Sequence, residues 1–342
     1  MVEVHVTLLP SFPHFAKFAH DPRLTGIRIN SAMLTPDDVS RELTILRGVV
    51  PSVPCAYDVK GRQLRVAEVL DNPSYLDVRL NHPVTCTSSP TLVLLKAGGD
   101  AGMAVLSEDG TRLTFTANPK FSVKVGESVC VKDPGLVVGG PLFTHAEVEK
   151  VARVRGSGLV HEWYLSYVEE AEDVEAFRGL VGDEDQVYLK IESQRGLAFA
   201  RYVWTPKKFP RTRLVAACGD LFVEVDQPHQ TLEGIQSILR ADPTAVMGSR
   251  MMLSVMRSPT AYLCNQVELA VEDDPALAAV LPLLRGSCEP AVPDLADFAH
   301  LAWMYDHGMR AALLCDEICL HPEHLEMAVG AVSAWAADYA PR

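Results

Sequence analysis

Three ionisable residues set the chemistry open to this chain. Lys190 and Glu192 stand two apart in VYLKIES, and Asp220 follows the apolar run LVAAC. A run such as Leu214 to Ala217, apolar without alternation, reads as a strand buried on both faces, which is a parallel-sheet signal. Charged groups placed where such strands emerge are not there for packing, because burying them unpaired costs roughly several kcal/mol. Lys190 and Glu192, two residues apart in a strand, face the same way. Carboxylates on adjacent strands, Glu192 and Asp220, suit a hard divalent cation such as Mg²⁺ or Mn²⁺, which leaves other coordination positions to substrate oxygens and water. Lys190 beside that ion would neutralise an anionic substrate. The competing reading is an ion pair between Lys190 and Glu192 that only closes the end of the sheet, and the residues by themselves leave both open.

The elements that must position these groups follow from periodicity. Buried-strand candidates run over Val4–Leu9, Gly26–Asn30, Val53–Asp58, Leu159–Ser166, Val187–Glu192, Leu214–Cys218, Thr244–Ser249 and Arg310–Cys315. Helical stretches separate most of them. Thr35-Pro36-Asp37-Asp38 and Thr144-His145-Ala146-Glu147 each place a capping hydroxyl three residues before an acid, a helix-start signal. Further helical pattern covers Glu170–Val181, Ser193–Trp204, Thr231–Arg240 and Asp294–His307. Eight strands alternating with helices specify an α/β fold, a closed (β/α)₈ TIM barrel.

One gap breaks the rhythm. Residues 67–141 carry short β-type runs (Thr91–Leu95, Met103–Leu106, Arg112–Thr116, Ser128–Lys132) punctuated by Gly-rich and Asp-Gly turns. We expect residues 1–66 and 142–342 to form the catalytic barrel and 67–141 a small β domain inserted after the third strand, placed to act as a lid. A second irregular stretch, about Ser258–Pro293, contains a helical piece at 261–271 and a Pro-rich return.

Composition narrows the function. Of 342 residues, 48% are hydrophobic and 22% charged, enough apolar content for a large core. A net charge of −13 argues against a nucleic-acid surface. It also requires any anionic substrate to be held by local cations or a metal. No run approaches the length of a membrane span, and the first ten residues lack a basic leader, so a cytoplasmic protein is expected. Its eight cysteines are expected to be reduced.

Barrel enzymes build their sites at the C-terminal ends of the strands. Here those ends offer Arg28 and Asn30, Asp58 with Lys60 and Arg65 beyond it, Ser166, Lys190 and Glu192, Asp220, Ser249 and Arg250, and Asp316 with Glu317. Along most of the barrel these segments resemble the pyruvate kinase family. The stretches that carry the resemblance are TLLP near the start, IRIN at 27–30, DVKGRQLR at 58–65, VYLKIESQRGL at 187–197, ACGDLFVEV at 217–225, VMGSRMMLSV at 246–255 and ALLCDEI at 312–318. They occur in the family's order.

The resemblance implies roles position by position. Arg28 would hold a phosphoryl group, and Lys190 would neutralise charge on it in transfer. Glu192 and Asp220 would hold the Mg²⁺ that also binds the enolate oxygen and carboxylate of a pyruvate-like molecule. Ser249 and the backbone of Gly219 and Asp220 would meet the substrate carboxylate. Asn30 and Asp58 fall where the family binds K⁺, and Arg65 matches a further active-site arginine.

Departures from the pattern matter as much. Ser31-Ala32-Met33 stands where the family has a Ser-His pair that serves the monovalent cation and the nucleotide. Val59, Cys218, Phe222 and Glu169 replace a threonine, an arginine, a glycine and a basic residue. The resemblance therefore implies a Mg²⁺-dependent phosphotransferase acting on phosphoenolpyruvate or pyruvate, with its K⁺ site degraded and its nucleotide left open. An aldolase or decarboxylase working through a pyruvate enolate without nucleotide is the alternative, and a non-catalytic metabolite sensor a third. The expected partner is a small enolpyruvate or keto acid, and the apolar content suggests a homodimer. Three lesser signals are read structurally: a hairpin turn in KAGGDAG at 96–102, solvated His321, Glu323 and His324, and a core Trp163 and Tyr164.

Overall fold

The computed structural model describes residues 2–32, 34–72, 74–95, 98–256, 263–264, 267–268, 271, 274–286 and 292–339. Eight parallel strands close into a barrel: Glu3–Thr7, Gly26–Asn30, Cys55–Val59, Glu162–Leu165, Gln186–Ile191, Thr212–Ala217, Val246–Gly248 and Ala311–Leu313. They overlap the eight expected runs in order. Closure comes from the eighth strand pairing with the first, Val4 opposite Ala312. The helix Pro36–Val49 opens with the expected capping box, the Thr35 hydroxyl accepting from Asp38 N and the Asp38 carboxylate accepting from Thr35 N. Thr144 caps His145–Ser157 in the simpler way, accepting from Glu147 N.

Alternation along each strand sorts the core into two layers. Side chains facing outward pack against the helices, among them Val6, Ile27, Tyr57, Trp163, Leu189 and Leu214. Inward-facing side chains form a small barrel core of Ala56, Tyr164, Tyr188, Val215, Val246, Ala311 and Leu313. Tyr164 and Tyr188 stack with ring centroids 4.5 Å apart. Two residues further along three of these strands, on the same inward face, come Asp58, Ser166 and Lys190. The apolar layer is therefore the floor on which the charged layer rests.

Trp163 is fully buried in the outer layer, edge-on to Tyr57 and Phe177, with its indole N–H donated to Asp185 at 2.8 Å. Trp163→Ala is expected to lower stability by roughly 3–5 kcal/mol. A lower urea midpoint at unchanged slope would register it.

Residues between the third and fourth barrel strands build a six-stranded antiparallel sheet and a two-stranded one. The expected runs appear as Thr91–Leu95, Asp100–Leu106, Arg112–Phe115 and Val129–Lys132, joined by Val66–Val69 and Asp77–Leu80, which lie outside the expected runs. This sheet has an apolar cluster of its own, including Leu64, Val78, Val93, Leu113 and Phe115. Leu95 pairs antiparallel with Asp100, as the hairpin reading of KAGGDAG requires of its flanking strands; Lys96 and Ala97 lie outside the described residues. Most of the helical piece expected at 261–271 also lies outside them, as do Met33 and Cys288.

No disulfide joins the described cysteines. No described helix is long and apolar enough to cross a membrane. One minor expectation is corrected: His324 is buried beside His321 rather than solvated, because the last helix, Pro322–Tyr339, turns it toward the barrel core.

Candidate active site

At the C-terminal mouth of the barrel the strand ends converge on a charged cluster. Lys190 Nζ lies 2.8 Å from Glu192 Oε1 and 3.6 Å from Asp58 Oδ2, and it donates to Ser166 Oγ at 3.0 Å. Both carboxylates are fully buried. Burial alone would lower the Lys190 pKa, but Asp58 and Glu192 reverse that and hold it above the ordinary lysine value. Glu192 is buried too, yet the Lys190 ammonium keeps its carboxyl below the usual range. The ion pair that stood as the competing reading is thus present.

Asp220 supplies what an ion pair does not explain. Its carboxyl meets that of Glu192, and burial together with the Glu192 charge pushes its pKa up to about 7. Two carboxyls in contact cannot both ionise cheaply near neutrality, so one proton is shared between them. Glu192 Oε1, although close to Lys190, accepts no well-aligned hydrogen bond. A buried acceptor left in this state, next to a second oxygen donor that holds its proton because of burial and the neighbouring charge, fits a hard dication well. Glu192 and Asp220 are the residues that would hold it.

The remaining walls enclose a cleft of about 130 Å³ lined by Arg28, Lys190, Gly219, Asp220, Ser249 and Asp316, among others. The short helix Cys218–Glu224 begins at its edge with no side chain capping its first turn, which leaves amide donors for an anion. A Cβ at Gly219 would meet nothing within 4 Å, so the backbone there is open to the cleft. Ser249 is buried at the end of the seventh strand and lines the same space.

Not every expected residue is free for the role read from the sequence. Asp58, expected with Asn30 to serve a monovalent cation, instead faces Lys60 at 2.9 Å, Arg28 at 3.5 Å and Lys190 at 3.6 Å. Protein cations already occupy the space around its carboxylate, and they hold its pKa far below the usual value against the opposing effect of burial. Asn30 turns its amide to Asp316 at 3.1 Å. Arg65 is absent from the cleft wall and donates to Gly126 O and Gln63 at the root of the inserted sheet. Its charge still acts on Asp220 from that distance.

Several residues were missed. Ser166 and Asp316 were visible as polar strand ends but carried no role. Lys60 bonds Asp58, and burial, partly offset by Asp58, lowers its pKa to about 8. Tyr167 gave no sequence signal at all. It takes a left-handed φ of 54°, a strain of roughly 1–3 kcal/mol for a non-glycine residue, and that turn aims its N–H at Glu192 Oε2 at 2.7 Å. Its hydroxyl reaches Glu224 at 3.4 Å, on the helix that carries Asp220. The inserted sheet touches the end of the same helix, with Lys132 Nζ 3.4 Å from Val225 O.

With this geometry in view, comparison with known proteins is direct. No family model matches the chain. A probable cytosolic pyruvate kinase isozyme of Arabidopsis thaliana is 24% identical over 199 residues, a match that covers 55% of this chain and 40% of the relative. The chain thus aligns with less than half the length of the curated relative. The crystal structure of pyruvate kinase from Pyrobaculum aerophilum superposes with a TM-score of 0.68 at 15% identity, covering 98% of this chain and 73% of that one. The chain shares the fold of that pyruvate kinase. That covers the barrel and its inserted sheet, since nearly the whole chain superposes. In this barrel the charged cluster lies at the C-terminal mouth, where barrel enzymes place their sites.

Proposed function

We propose that this chain is a Mg²⁺-dependent enzyme of the phosphoenolpyruvate/pyruvate class, a pyruvate-kinase-like phosphotransferase. The single observation that carries the reading is the Glu192–Asp220 carboxyl pair, set in one cleft with Lys190, Arg28 and the uncapped helix start at Cys218–Asp220. When bound, Mg²⁺ would draw negative charge from the enol oxygen and carboxylate of a three-carbon substrate. The chain's own residues do the rest. The amides of Gly219 and Asp220 and the Ser249 hydroxyl orient the substrate carboxylate. Lys190, kept protonated by Asp58 and Glu192, meets the charge that moves between oxygens. Arg28 offers its guanidinium to a phosphoryl group. Tyr167 N–H and Ser166 fix the rotamers of Glu192 and Lys190.

A second reading has its own support. Arg28 and Lys190 are already paired with carboxylates, and Arg65 is bound by the inserted sheet. Less positive charge is therefore free than three cations suggest, which favours an aldolase or decarboxylase acting through a pyruvate enolate. Titration with ADP, phosphoenolpyruvate and pyruvate in Mg²⁺, followed by turnover assays, separates the two. A kinase binds ADP and phosphoenolpyruvate and forms ATP. A lyase binds pyruvate and ignores ADP. Failure of all three to bind would end both readings.

The shared proton gives a pH test. Between about pH 4 and 7 the folded protein retains at Asp220 a proton that the unfolded chain has released, so this group's contribution to stability falls as pH rises through that window. A dication must displace that proton. Mg²⁺ affinity is expected to rise by up to tenfold per pH unit below about 7 and to level off above it. Calorimetry in buffers of different ionisation heat would read the proton released, and a pH-independent affinity would refute the shared proton.

A further inference from the structure

Two guanidinium groups line the cleft: Arg250 is half-exposed and paired with Glu317 at 3.1 Å, while Arg28 is buried at the end of the second strand with its fork already engaged. Its Nη2 donates to Asp316 Oδ1 at 2.8 Å, its Nε donates to Thr7 Oγ1 at 3.0 Å, and its Nη1 lies 3.5 Å from Asp58. The other Asp316 oxygen accepts from Asn30 at 3.1 Å. Asp316 is thus bound on both oxygens by second-strand side chains, as an anionic ligand would be. Unlike Asp58 and Glu192 it is not sealed in: its side chain keeps 47% of its exposure and lines the open cleft. It belongs to the first turn of the short helix Asp316–Cys319, reached directly from the eighth strand.

We propose that Asp316 is a specificity-determining residue that occupies the phosphoryl position on Arg28, so that an unphosphorylated 2-oxo carboxylate enters freely while a phosphorylated one must first displace it. This rests on the proposed substrate class and sharpens it. The physical reason is competition between like charges. A phosphoryl oxygen and the Asp316 carboxylate need the same N–H donors, and bringing both to one guanidinium adds repulsion at short range. Asp58 is too deeply held by Lys60 and Lys190 to yield in its place. Asn30, whose side-chain amide is spent on Asp316, would be released together with Arg28.

The test compares wild type with Asp316→Asn and Asp316→Ala by calorimetry, using phosphoenolpyruvate and pyruvate with Mg²⁺, and inorganic phosphate without metal. Freeing a charged donor pair is expected to tighten phosphoenolpyruvate and phosphate binding about tenfold or more. Pyruvate affinity should change less than threefold. The near-isosteric Asn variant serves if the Ala variant does not fold. Equal tightening of phosphoenolpyruvate and pyruvate would overturn the proposal, since Asp316 would then act only as a general negative charge, and so would no change in either. If pyruvate and phosphoenolpyruvate fail to bind wild type with Mg²⁺ while phosphate binding still rises in the variants, the proposed function falls and the role of Asp316 stands.

Discussion

Asp220→Asn is expected to abolish Mg²⁺-dependent turnover while making the protein more stable above neutrality. Loss of one of two carboxylate ligands should weaken Mg²⁺ strongly and reduce kcat/KM on the order of a thousandfold. Stability moves the other way because Asp220 is a liability in the metal-free fold. Burial and Glu192 raise its pKa to about 7, so above that pH the native state holds two charged carboxyls in contact. The Asn side chain removes one of them. A thermal melt in chelator at pH 8 should show a higher Tm for the variant, while Mg²⁺ should raise the Tm of wild type alone. Unchanged turnover would remove Asp220 from the site. A lower Tm at pH 8 would mean that the Asp220–Glu192 contact is favourable and that the Asp220 pKa is not raised.

Lys190→Met should also remove turnover, by a different route. The ammonium lies between Asp58 and Glu192, both without exposure, and breaking a buried ion pair from one side is typically destabilising by about 3–5 kcal/mol. Asp58 retains Lys60 and Arg28, so the loss falls mainly on Glu192. Mg²⁺ binding should survive or tighten, because the metal would then be the only cation left to neutralise that carboxylate. The expected result is a fold that melts cooperatively at lower temperature, regains part of its stability in Mg²⁺, and turns over at least a hundredfold more slowly. If turnover falls only in proportion to the unfolded fraction, Lys190 is structural. That would return the Lys190–Glu192 pair to a plain ion pair closing the barrel mouth.

The contrast between these two variants matters because the same cluster carries both stability and chemistry. Asp58, Lys60, Lys190 and Glu192 hold one another in place without leaving the barrel mouth. Asp220 and Asp316 line the cleft, and the Asp316 side chain remains partly exposed to it. The strained turn at Tyr167, whose N–H donates to Glu192, marks where the fold gives up stability to fix that carboxylate.

The order of strands, the inward direction of Lys190 and Glu192, and the barrel itself were set by local pattern. Unbroken apolar runs as short as LVAAC, repeated between helical stretches, read as strands covered on both faces, and a period of two fixes which residues share a face whatever the partner strand. The helix starts at Thr35 and Thr144 were legible for the same reason, since a cap is made within four residues. Partner choice was not. Arg28 and Asp316 are 288 positions apart, and only barrel closure, which seats the eighth strand beside the first, brings them into one ion pair. Tyr167 has no local signal for its left-handed turn, because a tyrosine takes that conformation only when surrounding contacts over-determine it. Arg65 could not be placed because its guanidinium is held by Gly126 and Gln63, at the root of the inserted sheet. Periodicity determined which side chains face the mouth. Closure of the barrel determined which of them are already occupied by one another, because charge pairing depends on distances that a one-dimensional pattern does not contain.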